Sequence, residues 1–110
     1  MKTKLLGFDD IEKDKVGMIE EIINREGGKI EQKMGEEIFL EINVKKYGKV
    51  KVNEFEISLR LFCSEKTKCS KHFFEVNVTE RDLIKGIHKI LDKLDNEVEH
   101  RMHFSDQRKR

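Results

Sequence analysis

The stretch that decides the fold is IFLEINVK, residues 38–45, in which apolar and polar side chains strictly alternate. Successive side chains of a β-strand point to opposite faces, so this pattern predicts a strand with one buried face and one open face. The side chains that we expect on the buried face are Ile38, Leu40, Ile42 and Val44. The intervening residues then lie on the open face.

Two further alternating runs follow along the chain, at residues 55–63 and 72–78. Residues 46–49 between the first two runs are turn-like, and the opposite parity of Val50 and Val52 to Phe55 predicts a turn end or a bulge near Asn53. The polar residues 64–71 indicate a loop, and residues 4–8 form a short strand at the beginning. Together these runs predict an antiparallel sheet with one covered face and one open face.

The first helix is predicted from the apolar spacing that starts at Ile11 and continues to Met34, which is close to 3.6 residues. Gly27 and Gly28 interrupt it. Two glycines cost about 2 kcal/mol relative to alanines in a helix interior. The helix therefore either ends near Glu26 or continues through a weak joint.

The second helix begins at the sequence TERD, residues 79–82, where Thr79 is the predicted N-cap and acids follow in the first turn. An apolar stripe from Leu83 to Val98 carries it to about Met102. The order β-α-β-β-β-α predicts an α+β fold, with two helices packed on one face of a four-stranded sheet. We expect one domain over residues 1–103 and a flexible basic C-terminal tail over residues 104–110.

Composition narrows the function classes. The chain has 110 residues, with 23 Lys and Arg against 22 Asp and Glu, a net charge of +1. This sum excludes a strongly basic nucleic-acid binder, although it allows local basic patches. No apolar run is long enough to span a membrane, and the first residues lack a secretory apolar region, so we expect a cytoplasmic protein without membrane association.

Cysteine and histidine give no convincing chemical site. Cys63, Cys69 and His72, with His100 and His103 as further ligands, are spaced too widely for a typical structural zinc site. A cytosolic setting keeps thiols reduced, so we expect Cys63 to be a buried free thiol. Catalytic and phosphate-binding motifs are absent as well. We therefore predict no cofactor, no metal and no enzymatic activity.

Basic residues recur every fourth position on both predicted helices. The first helix contributes Arg25, Lys29 and Lys33, and the second contributes Arg81, Lys85, Lys89 and Lys93. Such rows contact RNA phosphates or form an ordinary solvated face with ion pairs at spacings of three and four. The open sheet face leans acidic in this interpretation, through Glu41, Glu54, Glu56 and Glu75. Phe39 and Phe73 on that face are predicted either to stack on RNA nucleobases or to pack against the N-terminal strand or a second copy of the chain. We favour the second alternative.

The last helix, DLIKGIHKILDKL at residues 82–94, resembles the final helix of the ribosome hibernation factors, the ribosome-associated translation inhibitors. Lys29, Ile30 and Glu31, followed by the strand at residues 38–44, resemble the corresponding stretch of that family. The likeness covers about residues 1–103. Gly86 stands where the family has a small Ala, and Asn96, Glu97 and Glu99 stand where it usually has bases.

This resemblance implies a helix that continues through Gly27 and Gly28. It also implies a non-enzymatic protein that docks on the small ribosomal subunit and inhibits translation in resting or stressed cells. The seven basic residues named above would contact ribosomal RNA. We expect a monomer or weak homodimer that does not bind DNA. The alternative is a protein-interaction or small-ligand-binding module without ribosome affinity, forming a homodimer through the open sheet face.

Overall fold

The computed structural model describes residues 1–49, 52–63 and 74–102. Its elements are β1 (Lys2–Leu6), α1 (Lys13–Ile22), a π-helical segment (Ile23–Gly27), α2 (Gly28–Met34), β2 (Ile38–Lys49), β3 (Val52–Cys63), β4 (Phe74–Glu80) and α3 (Leu83–Met102). The π-helical segment joins α1 to α2, and we call residues 13–34 the first helix. The predicted α+β fold and the order β-α-β-β-β-α are confirmed.

The sheet is mixed, with strand order β1-β2-β3-β4. β2 pairs antiparallel with β3 and β3 with β4, but β1 pairs parallel with β2. The antiparallel pairing predicted from the alternating runs is therefore confirmed for β2, β3 and β4, whereas the parallel pairing of β1 was not predicted. Side-chain alternation is the same in both kinds of pairing, whereas a helix that crosses between two neighbouring strands returns the chain in the same direction.

β2 and β3 pair without a slip, from Ile38 opposite Cys63 to Lys49 opposite Val52. The predicted turn at residues 46–49 is wrong, because these residues belong to β2. Of the two alternatives near Asn53, the bulge is wrong and the turn end agrees with the start of β3 at Val52. Residues 50 and 51, which join the strands, lie outside the described residues, as does the predicted loop at 64–71.

A single apolar core lies on one face of the sheet, and side chains of both helices join it. The four side chains of β2 predicted to be buried are each at most 4 % exposed. The first helix contributes Ile19, Ile22, Ile23, Ile30 and Met34, and α3 contributes its stripe from Leu83 to Val98. Helix–sheet packing therefore fixes which helix faces remain outside.

Each helix lies close to the sheet at a glycine. A Cβ atom added to Gly86 would lie 2.5 Å from Cδ1 of Ile57, and one added to Gly27 would lie 3.0 Å from Cδ1 of Leu40. Both Gly27 and Gly28 have right-handed helical backbone angles, so the helix continues through them. It ends at Gly35, whose φ of 72° is the left-handed conformation common after a helix.

The start of α3 differs from the prediction. Thr79 belongs to β4, and the backbone N–H of Lys85 donates to Oδ1 of Asp82 at 3.2 Å, which is N-cap geometry. The helix continues to Met102, as expected. Residues 103–110 lie outside the described residues, so the division of the chain into a domain and a tail stays a prediction.

Cys63 is bonded in a disulfide, so the prediction of a free thiol is wrong. The chain has one other cysteine, Cys69, which lies outside the described residues. Strand parity places Cys63 on the inward side but does not reveal whether its sulfur is oxidised.

Candidate nucleic-acid interface

The bases of the first helix line a groove between this helix and α3. Arg25, Lys29 and Lys33 lie together along it, as their spacing predicts. Asp92 and Asp95 of α3 face them from the opposite wall. The groove is therefore mixed in charge rather than uniformly basic.

Lys33 is held inside this groove by two acids. Its Nζ lies 2.7 Å from Oδ1 of Asp95 and 2.8 Å from Oε2 of Glu99, and its side chain is 30 % exposed. Burial alone would lower the pKa of Lys33, but hydrogen bonds to the two carboxylates outweigh it and raise the pKa above the usual value. The positive charge of Lys33 is thus neutralised within the molecule.

Glu99 has a structural role that its sequence position does not show. It stands where the resembling family usually has a base, and it supplies one of the two carboxylates on Lys33. Asn96 is exposed, and Glu97 is partly buried. The acid at position 99 is therefore directed to the groove between the helices.

The bases of α3 reach in a different direction, toward β4. Nζ of Lys89 lies 2.7 Å from Oε2 of Glu80, and Nζ of Lys93 donates to the backbone carbonyl of Asn77 at 2.9 Å. The hydrogen bond from Lys89 lowers the pKa of Glu80. Because β4 is an edge strand of the sheet, Lys93 binds a backbone carbonyl at that edge.

The basic row of α3 consequently lies on a different side of α3 from the groove that contains the basic row of the first helix. At 100° per residue, Lys89 and Lys93 are about a third of a turn or more away from His88 and Asp95, which face the groove. Arg81 and Lys85 are exposed near the start of α3. The structure brings together the three bases of the first helix, but it does not join them to the row of α3.

A second contact crosses the groove between Glu26 and His88. Nδ1 of His88 lies 2.9 Å from Oε2 of Glu26, and the same carboxylate lies 3.6 Å from Nη2 of Arg25. His88 lies at the margin of the apolar stripe of α3, and its contact with an acid of the first helix was not predicted from the sequence. A signal was present, because His88, Asp92, Asp95 and Glu99 recur at helical spacing along one side of α3.

The open sheet face carries both signs of charge. β1 adds Lys2 and Lys4 to the acids predicted there, so the acid-leaning face of the prediction is in fact balanced. Phe39 and Phe62 lie opposite each other in neighbouring strands, and Nζ of Lys2 lies 5.7 Å from the ring centre of Phe39. Phe73, which we also assigned to this face, lies outside the described residues.

The described part of the chain shows no group of three His, Cys, Asp or Glu residues that would hold a metal ion. Cys69, His72 and His103 are beyond it, so the metal-free state stays a prediction. Within the same part of the chain, no helix is long and apolar enough to cross a membrane.

Comparison with known proteins yields a structural match. No family model and no curated protein matches the chain. The crystal structure of the Thermus thermophilus Protein Y N-terminal domain superimposes with a TM-score of 0.66 at 13 % sequence identity. The match covers 91 % of this chain and 98 % of that domain, so the two share a fold over almost their whole length.

Proposed function

We propose that this protein is a cytoplasmic, ribosome-associated factor that contacts ribosomal RNA of the small subunit and inhibits translation in resting or stressed cells. The fold match to the Protein Y N-terminal domain suggests a ribosome-associated factor. The resemblance of the helical sequences to the hibernation factors is the basis for proposing that the protein binds the small subunit and inhibits translation. Such a factor would act by occupying space on the subunit, without catalysis.

The observation that carries the proposal is the set of solvent-accessible basic side chains on and next to the two helices. Arg25, Lys29, Arg81 and Lys85 are exposed. Lys89 is 54 % exposed despite its contact with Glu80, and an exposed ion pair stabilises a protein by only about 0–1 kcal/mol. Lys89 is therefore able to exchange its carboxylate partner for a phosphate.

Lys33 has a different place in this proposal. Its two carboxylate partners lie in the groove, so it fixes the first helix against α3 and is less able to reach a phosphate. We expect Lys33 to position the neighbouring bases. Phosphate contacts should come from the remaining six predicted residues, of which Arg25 and Lys29 lie at the groove.

Co-sedimentation with purified small ribosomal subunits across a salt series tests the proposal. Each phosphate contact contributes about −0.7 to −0.9 to the slope of log K against log salt, so six contacts predict a slope of about −4 to −5. Replacement of Lys85, Lys89 and Lys93 by Glu should remove about half of this slope and weaken binding more than about tenfold. Failure of the unmodified protein to pellet at low salt would contradict ribosome association.

A matched control uses three lysines on the opposite side of the molecule. Lys2, Lys4 and Lys45 are exposed on the open sheet face, and their replacement by Glu changes the net charge by the same amount. This control should still pellet. Equal losses from both triple variants would show that the total charge, rather than the helix side, determines the pelleting.

Inhibition is tested separately from binding. Addition of the protein to a cell-free translation reaction should lower the yield, and the triple Glu variant of α3 should lower it much less. Binding without inhibition would support association with the subunit and contradict the inhibitory role.

A further inference from the structure

We propose that the open sheet face binds a second copy of this chain, in a symmetric dimer whose two-fold axis runs parallel to the strands between β2 and β3. This face consists of the outward side chains of the four strands, on the side opposite both helices. The inference rests on the pattern of charge across the sheet and is independent of ribosome binding.

The pattern is clearest in one row that crosses the whole sheet. Lys4 is in register with Glu41, Glu41 with Arg60, and Arg60 with Glu75. Nε of Arg60 lies 3.0 Å from Oε2 of Glu75. The sign of the charge therefore alternates from β1 to β4.

A two-fold rotation about the proposed axis lays this row on its own copy in reverse strand order. Lys4 then faces the partner's Glu75, and Glu41 faces the partner's Arg60. The same two contacts recur by symmetry, so all four charges of the row meet an opposite charge. An interface made of the same patch on both subunits is the usual arrangement in two-fold dimers.

In the other outward rows, the side chains next to the axis are also complementary between the two copies. Lys45 is in register with Glu56, and would face the partner's Glu56. Phe39 is in register with Phe62, which is 37 % exposed, and would face the partner's Phe62. Asn43 and Ser58 are in register between these rows and supply neutral polar groups that hydrogen-bond to each other across the axis.

Charge also disfavours one alternative arrangement. An axis perpendicular to the strands that crosses this row lays β1 on β1 and β4 on β4, so that Lys4, Glu41 and Arg60 each meet their own copy. Like charges placed opposite each other are unfavourable. The parallel axis is therefore the arrangement that the side chains favour.

The area of the face sets the expected affinity. The three strand pairs have five, twelve and seven paired positions, on average eight. At about 3.4 Å for each position and about 4.8 Å for each of the four strands, the face covers roughly 500 Å² on each copy. A total near 1,000 Å² is at the lower limit of specific interfaces, so we expect a weak dimer with a Kd of tens of micromolar or more. Phe39 and Phe62 would form its central apolar contact.

A second copy suits this face better than a nucleic acid. Glu41, Glu56 and Glu75 lie among the basic residues on β2, β3 and β4, where they would repel phosphates. In the proposed dimer, each of these acids faces a basic residue of the second copy.

Exchange of the central charges tests the dimer sharply. In the double variant Lys45→Glu/Glu56→Lys, each chain keeps an opposite pair within its own sheet, beside the neutral Thr79, and also faces an opposite pair on an identical copy. This variant should dimerise about as well as the unmodified protein. A mixed dimer of the two proteins would instead place Lys45 of one against a lysine of the other, and should form at least about tenfold less well.

The measurements are sedimentation equilibrium for each protein and native mass spectrometry for the mixture. A mass that approaches twice 13.1 kDa with rising concentration is expected for each protein alone. Glu41→Arg alone and Phe62→Ser should each weaken the dimer, whereas Glu20→Lys on the exposed side of the first helix should not. Thermal melting of every variant separates loss of the dimer from loss of the fold.

Several results would overturn the proposal. A protein that stays monomeric at millimolar concentration has no such interface, and free formation of mixed dimers would exclude the proposed axis. If the unmodified protein binds single-stranded RNA and Phe62→Ser abolishes that binding, the face serves nucleic acid instead. Co-sedimentation with ribosomal subunits should be unchanged in the double variant, so failure of the dimer leaves the proposed function unaffected.

Discussion

The two helices pack on the same face of the sheet but differ in backbone geometry. The first helix passes through a π-helical segment and two adjacent glycines, whereas α3 is regular over its 20 residues. Both lie close to the sheet at one glycine, but the atoms that face these glycines differ. Gly86 faces the branched side chain of Ile57, which is fully buried, while Gly27 faces the buried Leu40 and the long, unbranched side chain of Met1, which is able to shift. A glycine is therefore needed most where its neighbours cannot move.

The helices also differ in what their bases contact. Lys33 of the first helix is paired with acids of α3, whereas Lys89 and Lys93 of α3 reach the outermost strand. The acids of α3 thus hold the helices together, and its bases remain near the surface. Stability and RNA contact consequently depend on different sides of the same helix.

The largest effect on stability is expected from Gly86→Ala. The new methyl group would lie 2.5 Å from Cδ1 of Ile57, which is fully buried. Overpacking costs about 1–3 kcal/mol and the better helix former returns about 1 kcal/mol, so we expect a net loss of up to about 2 kcal/mol in the free energy of unfolding. Urea denaturation measures it.

The control for this prediction removes the clashing atom. In an Ile57→Val background the δ-methyl group is absent, and Gly86→Ala should then be neutral or stabilising relative to that background. If Gly86→Ala stabilises the unmodified protein, α3 does not lie as close to the sheet as described.

Lys33→Met is expected to destabilise the pairing of the helices by about 1 kcal/mol, because Asp95 and Glu99 lose their shared cation. The pKa of Lys33 is raised in the folded state. Its contribution is therefore fully present below the unfolded-state pKa of about 10.4 and is lost as the pH rises through the folded-state value. Thermal melting at pH 7 gives the size of the effect.

Lys29→Met is the matched control, one turn earlier on the same helix. Lys29 is exposed, and this change should alter the free energy of unfolding by less than about 0.5 kcal/mol. Equal effects of the two substitutions would argue against the described ion pairs.

Gly28→Ala should stabilise the first helix, in contrast to Gly86→Ala. A Cβ atom at Gly28 would meet no atom within 4 Å among the described residues, so helix propensity is expected to add about 0.5–1 kcal/mol. A rise in the melting temperature is the expected result. A fall would show that the joint between the π-helical segment and α2 requires glycine for another reason.

The smallest effect is expected from Glu31→Gln, at the end of the first helix. Burial raises the pKa of Glu31, but the N–H of Ile38 and the terminal ammonium of Met1 outweigh it and lower the pKa. The charged form then contributes stability above the unfolded-state pKa of about 4.3, which is lost as the pH falls through the folded-state value. We expect a loss of about 0.5 kcal/mol at pH 7 that disappears in acid.

Melting temperatures of the two proteins between pH 3 and pH 7 check this expectation. The difference should be greatest at neutral pH. A constant difference over the whole range would mean that the carboxylate charge of Glu31 does not stabilise the fold.

The sequence predicted those features that depend on a local period. Alternation identified the buried residues of β2, and helical spacing identified the extent of α3. It did not predict the parallel pairing of β1, because the same alternation serves both kinds of sheet. It also missed the capping role of Asp82, since Thr79, an equally good cap, precedes it by three residues.

The candidate site was predictable only in part for a similar reason. A spacing of four identified the rows at Lys29 and Lys89, but it could not say which side of each helix faces a neighbour. That side is set by tertiary packing, which turns Lys33 toward Asp95 and Lys93 toward Asn77. The balance of charge on the open sheet face likewise depended on where β1 pairs.

The π-helical segment has a consequence for insertions and deletions. A turn closed by bonds from i to i+5 holds one residue more than an α-helical turn. Elsewhere in a helix the deletion of one residue would rotate all later side chains by about 100°, and would turn Ile30 and Met34 away from the core. Within residues 23–27 a deletion can instead convert the wide turn to an ordinary one and preserve both flanking faces. Related sequences that are shorter by one residue should therefore be aligned with their gap in this turn.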